Sequence, residues 1–168
     1  MGENEVIIEP NISNNRFINL SNAINCPCTV RLLKYLLGSR ISELTLVNQF
    51  LFQSIIIRQS NTNLYNTLIN FIEETNSHID VLSNAILKFG GNLKFSNGQG
   101  TPWSARYLLY KTNVNDFLNY NIKLLEKVIN NYKKAINCIN NESLKQILNQ
   151  IIEDKNNQII IFKNIRIH

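Results

Sequence analysis

The stretch Leu64-Tyr-Asn-Thr-Leu68-Ile-Asn-Phe71-Ile72-Glu-Glu-Thr-Asn-Ser-His78-Ile79-Asp-Val-Leu82-Ser-Asn-Ala-Ile86-Leu-Lys-Phe-Gly90-Gly91 decides the fold. Its apolar side chains at Leu64, Leu68, Phe71, Ile72, Ile79, Leu82 and Ile86 recur three and four positions apart, the period of one face of an α-helix. Ser60-Asn61-Thr62-Asn63 supplies capping residues in front of it, and the glycine pair ends it.

The same period extends on both sides. Upstream, Leu32, Leu33, Leu36, Leu46, Val47, Phe50, Leu51 and Ile57 describe a long amphipathic helix from Thr29 to about Arg58, which Gly38 kinks or divides. Downstream, residues 90 to about 113 hold Gly98, Gly100, Pro102 and Trp103 without a period, so they form a long connection. A third helix from about Val114 to Ile139 carries Phe117, Leu118, Leu125, Val128, Ile129, Tyr132 and Ile136. Asn140-Asn141 breaks it, and a fourth runs from Glu142 to about Asn164 through Leu144, Ile147, Leu148, Ile151, Ile159 and Phe162. Short, long and short links between four helices predict an all-α four-helix bundle with one crossover, the connectivity of ferritin-like folds. The crossover would join the second and third helices as parallel neighbours. Residues 1–28, rich in Asn and carrying Pro10 and Pro27, read as an arm, and residues 29–168 as the bundle.

Composition narrows the function. The 168 residues are 44% hydrophobic and 17% charged, enough for one domain with a sizeable core. Polarity comes largely from asparagine. The net charge of +5 is spread from Arg16 to Arg166 with no run longer than Lys133-Lys134, so no nucleic-acid partner is expected. No window approaches the length of a membrane span, and no leader pattern opens the chain, so a cytoplasmic protein with no membrane partner is expected. Cys26, Cys28 and Cys138, an odd number without a second closely spaced pair, read as reduced, partly buried thiols. Phosphate loops, nucleophile elbows and zinc-type Cys and His clusters are absent from the sequence.

Several local stretches resemble one family. Glu43-Leu-Thr-Leu-Val-Asn-Gln-Phe50 resembles the first helix of ferritin-like dimetal carboxylate proteins, in which a ligand Glu precedes an aromatic residue by seven positions. Glu73-Glu-Thr-Asn-Ser-His78 and the run to Gly90-Gly91-Asn92 are similar to their second helix. Trp103-Ser104, Asn121-Ile-Lys and Tyr132-Lys-Lys-Ala-Ile136 resemble the crossover and third helix of the manganese-catalase and spore-coat, CotJC-like, branch, and Ile151-Ile-Glu-Asp154 its fourth. The resemblance spans roughly residues 29 to 165.

The resemblance implies two metals held by two single Glu ligands and two Glu-x-x-His pairs, whose members share a helix face. Position by position, Glu43 matches the first single Glu and His78 the first His. The other four positions carry Thr75, Leu125, Lys155 and Gln158. Glu74 and Glu126 stand one residue away, which turns a side chain by about 100° around the helix. A protonated Lys155 repels a divalent cation. The resemblance therefore implies a degenerate centre with Glu43 and His78 as its remnants. No cofactor is expected, the alternative being manganese or iron.

Glu43, if it points inward, needs a partner, because an unpaired buried carboxylate is costly. Lys155 is the candidate, with His78 and Gln158 hydrogen-bonded to each other across the core. Thr75 back-bonding to its own helix needs nothing else. Tyr110, Tyr132 and Trp103 read as packing, and His168 as an exposed terminus. Two functions follow. One is a non-catalytic ferritin-like protein with a structural or assembly role, of spore-coat type and spore-associated by resemblance, with further copies of itself or coat proteins as partners. The other is a ferritin-like oxidoreductase of peroxide or of iron or manganese, with an altered or single-metal site.

Overall fold

The computed structural model describes residues 20 and 23–165; most of the arm, and His168, lie outside the described residues. The chain forms α1 (Pro27–Gly38), α2 (Glu43–Ile57), α3 (Thr62–Lys88), a single 3-10 turn at Ala105–Tyr107, α4 (Val114–Cys138) and α5 (Glu142–Asn164). Asparagine side chains start the three long helices. Asn61 accepts from the amide of Leu64, Asn113 from those of Asn115 and Asp116, and Asn141 from that of Leu144. Each such bond satisfies an amide that has no partner inside its own helix.

The first long helix is divided, and the place expected for the division is where it occurs. Ser39 ends α1, and Ser42 accepts from the amide of Thr45 to start α2. Gly38 keeps a negative φ, so its backbone is not what demands glycine. A Cβ there would stand 2.7 Å from the carbonyl oxygen of Ser96 in the crossover. The glycine is needed for close approach, not for a turn.

The two halves lie end to end along α3. Cys26 at the start of α1 donates its amide to the carbonyl of Phe89 just past the end of α3, while Phe50 of α2 packs on Phe71 with ring centroids 5.9 Å apart. Phe162 of α5 closes this aromatic cluster, 5.9 Å from Phe50 and 5.1 Å from Phe71. In the second pair, Gln53 near the end of α2 faces Asn121 near the start of α4, so α4 runs antiparallel to α2. Thus α1–α2, α3, α4 and α5 make the four rods of a bundle with a single long crossover.

Rods α3 and α4 are parallel, as expected, but they are not neighbours. Each packs on α2 and α5, and they stand diagonally opposed. The crossover reaches across by binding the first rod: Trp103 donates its indole N–H to Thr45 Oγ1 at 3.0 Å, and Leu109 exchanges two backbone bonds with the Gln49 side chain, at 2.8 and 3.1 Å. Trp103 is thus more than packing. Tyr110 is exposed, its hydroxyl donating to the carbonyl of Ala105. The N-terminal flank also joins the body, since Leu20 is buried and Ala23 packs on the core, and α1 begins at Pro27 within the segment read as an arm. Of the three thiols only Cys26 is partly buried. Cys28 and Cys138 are exposed, because each sits at an outward position of a helix end. No helix among the described residues is long and apolar enough to cross a membrane.

Candidate functional site

Diagonal placement of α2 against α5 and of α3 against α4 points the inner faces of all four rods at one region. Glu43, the first residue of α2, lies there with no solvent exposure, as do Thr75 and His78 of α3, Tyr132 of α4 and Lys155 of α5. Glu43 therefore points inward. The Nζ of Lys155 stands 2.8 Å from Glu43 Oε2, the pairing expected from the sequence. Burial alone would raise the Glu43 carboxyl pKa, but the ammonium and the neighbouring His78 hold it down to about 2. Tyr132 donates its hydroxyl to the other oxygen, Oε1, at 2.9 Å. Burial, and after it the Glu43 charge, pushes this phenol well above its ordinary range.

His78 does not bond Gln158. Its Nε2 lies 2.9 Å from Asp154 Oδ2, and its Nδ1 faces Glu43 Oε2 at 3.6 Å, too long for a hydrogen bond. Gln158 instead donates to Glu74 Oε2. The antiparallel course of α3 and α5 explains the exchange, because residues 74 and 78 face 158 and 154 in that order. Thr75 is not self-sufficient either, since its hydroxyl receives Lys155 Nζ at 3.5 Å. Leu125 is wholly buried apolar core, and Glu126 is exposed.

Asp154 is the site residue that sequence spacing missed, whereas Glu74, one position out of phase with the expected ligand, enters as the partner of Gln158. Asp154 precedes Lys155, and successive residues point about 100° apart on a helix. With Lys155 assigned inward, Asp154 falls to the flank, and only its reach to a buried histidine brings it in. A buried imidazole needs a carboxylate or carbonyl partner, and that was the available signal.

No protein-family model matches the chain, and no curated protein does. Two crystal structures of KatB, a manganese catalase from Anabaena, one of them described as wild type and the other from strain PCC7120, share its architecture. Each aligns over 96% of this chain and 77% of that chain, with a TM-score of 0.78 and 22% sequence identity. The chain has the ferritin-like fold of manganese catalase.

Within this ferritin-like bundle the residues present do not fit a dimetal centre. Of the six expected donors, Thr75, Leu125, Lys155 and Gln158 replace four, and the ammonium of Lys155 touches a carboxylate oxygen that a metal would need. His78 lies between two carboxylates, but Glu43 and Asp154 approach opposite ring nitrogens, so one ion cannot take all three. Among the described residues no three His, Cys, Asp or Glu side chains gather as metal ligands. What the ferritin-like centre holds is a buried network of charge pairs and hydrogen bonds running through all four rods.

Proposed function

We propose that this chain is a non-catalytic ferritin-like protein that has given up dimetal chemistry and serves a structural or assembly role. The observation that carries the reading is the Lys155 ammonium 2.8 Å from Glu43, both fully buried at the crossing point of the bundle. A divalent ion has no room beside that charge, and the remaining side chains work as a structural core.

The outer face of α2 supports assembly. From Leu44 to Ile57 the helix carries no charge, and Leu51, Ile55 and Ile56 are exposed on one stripe, beside Tyr110 packed edge-on against Phe52 at 5.2 Å. An apolar outer face on a charge-free stretch of helix is normally covered. Further copies of the chain or proteins of a coat-like layer are the proposed partners, with a spore coat as the layer that the resemblance suggests.

The test is the chain purified from cells supplied with manganese and iron, measured for metal content, peroxide turnover and sedimentation. The proposal expects no stoichiometric metal, no turnover and a species larger than the monomer that Ile55→Lys breaks up without changing the melting temperature. An oxidoreductase with a single metal is the competing reading. It expects about one metal per chain, lost in His78→Ala, and such a result overturns the proposal.

A further inference from the structure

At the centre of the bundle two electron-pair donors face each other with nothing between them to share. Glu43 Oε2 and His78 Nδ1 are 3.6 Å apart and fully buried, with no hydrogen bond between them. His78 gives its other nitrogen to Asp154 at 2.9 Å. With Nε2 engaged by that carboxylate, Nδ1 and the Glu43 oxygen are the two donor atoms left facing each other. A buried carboxylate is costly unless a cation or a donor stands beside it. A positive charge close by offsets that cost, and the Nζ of Lys155 provides it at 2.8 Å from the same oxygen.

We infer that Lys155 is the built-in cation of this bundle: its ammonium takes the place of a metal ion and shuts the Glu43–His78 donor pair against divalent ions. The inference rests on the metal-free reading above and deepens it by naming the atom that replaces the metal. Charge and geometry agree on this. Glu43 and Lys155 cancel as a pair, and Thr75 receives the ammonium on another side at 3.5 Å. A dication bonded to Glu43 Oε2 would sit within a few ångströms of the ammonium, where low polarity leaves like charges poorly screened. Without the ammonium, the 3.6 Å gap is one that an ion with bonds of about 2.0–2.2 Å to nitrogen and oxygen can bridge. Of the four replaced positions, Lys155 is the one that puts a positive charge beside the two surviving donors.

The test removes the charge and keeps the volume. Lys155→Met retains most of the buried stem and leaves Glu43 without its counter-ion. It is expected to melt well below the wild-type chain, and to recover when manganese(II) or cobalt(II) is added, because an ion bound only by the folded state stabilises it. Cobalt gives a second readout, one ion per chain with visible ligand-field absorption, which Lys155→Met/His78→Ala loses. The wild-type chain shows neither response. Lys155→Met/Glu43→Gln, with both charges gone, regains melting temperature without metal and ignores cobalt. If Lys155→Met takes up no cobalt while the Lys155→Met/Glu43→Gln chain folds, the inference fails, whether or not the single variant folds. Cobalt uptake by the wild-type chain would instead overturn the functional reading, so the two failures are distinct.

Discussion

Tyr132 donates its hydroxyl to Oε1 of Glu43 at 2.9 Å across the bundle, from α4 to the first residue of α2, and neither side chain is exposed. The bond fixes the start of α2 against the C-terminal third of α4. Tyr132→Phe keeps the ring in the core and deletes only this donor, leaving a buried carboxylate oxygen unsatisfied. A loss of about 1–3 kcal/mol is expected, read from urea unfolding. A neutral result would show that water reaches Oε1.

Acid sensitivity follows from the same carboxylate. The folded-state pKa of Glu43 lies at about 2, below its ordinary value of 4.5. A depressed carboxylate contributes stability that is complete above the unfolded value and is lost as pH falls through the folded one. The window here is pH 4.5 down to about 2, and the contribution is on the order of 3 kcal/mol. Exposed pairs such as Lys145–Glu142 add little to it. The urea midpoint followed from pH 6 downward should fall through this window, and Glu43→Gln should flatten the fall. An unchanged slope in the variant would place the acid sensitivity elsewhere.

The rods were legible because each repeats its signal many times. The sequence alone places α5 at Glu142–Asn164, and Asn61 and Asn141 announce the helices they cap. Glu43 and Lys155 were legible as a pair because the family resemblance sets both at metal-facing positions, where a buried carboxylate needs a cation. Link lengths do not say which rods touch, so the diagonal arrangement of α3 and α4 was hidden. The partners of His78 and Gln158 were hidden with it, since they depend on the relative height of α3 and α5, a matter of about one turn that no periodicity records.

Gly38 gives a backbone test of the crossover. Alanine is the better helix former by about 1 kcal/mol, so propensity alone predicts a gain. Its Cβ, however, would meet the oxygen and nitrogen of Ser96 at 2.7 and 2.8 Å, and these are backbone atoms held by the first turn of the crossover. Gly38→Ala should therefore lower stability by about 1–3 kcal/mol, the usual cost of overpacking, despite its propensity. A rise in melting temperature would mean that the segment around Ser96 moves aside freely.

Gln53 and Asn121 test how the polar interior is held together. Their side-chain amides exchange two bonds, at 3.1 and 2.7 Å, between α2 and α4 in the buried layer beyond the Glu43 network. Removing one amide strands the other, which costs about 1–3 kcal/mol, whereas replacing both with apolar groups of similar shape is close to neutral. Gln53→Leu and Asn121→Leu are each expected to destabilise by that amount, and the double variant by much less than their sum. The cycle then reports a coupling of about 1 kcal/mol or more. Additive losses would mean that each amide has another partner, and that the two rods are held by apolar packing and the Tyr132–Glu43 bond alone.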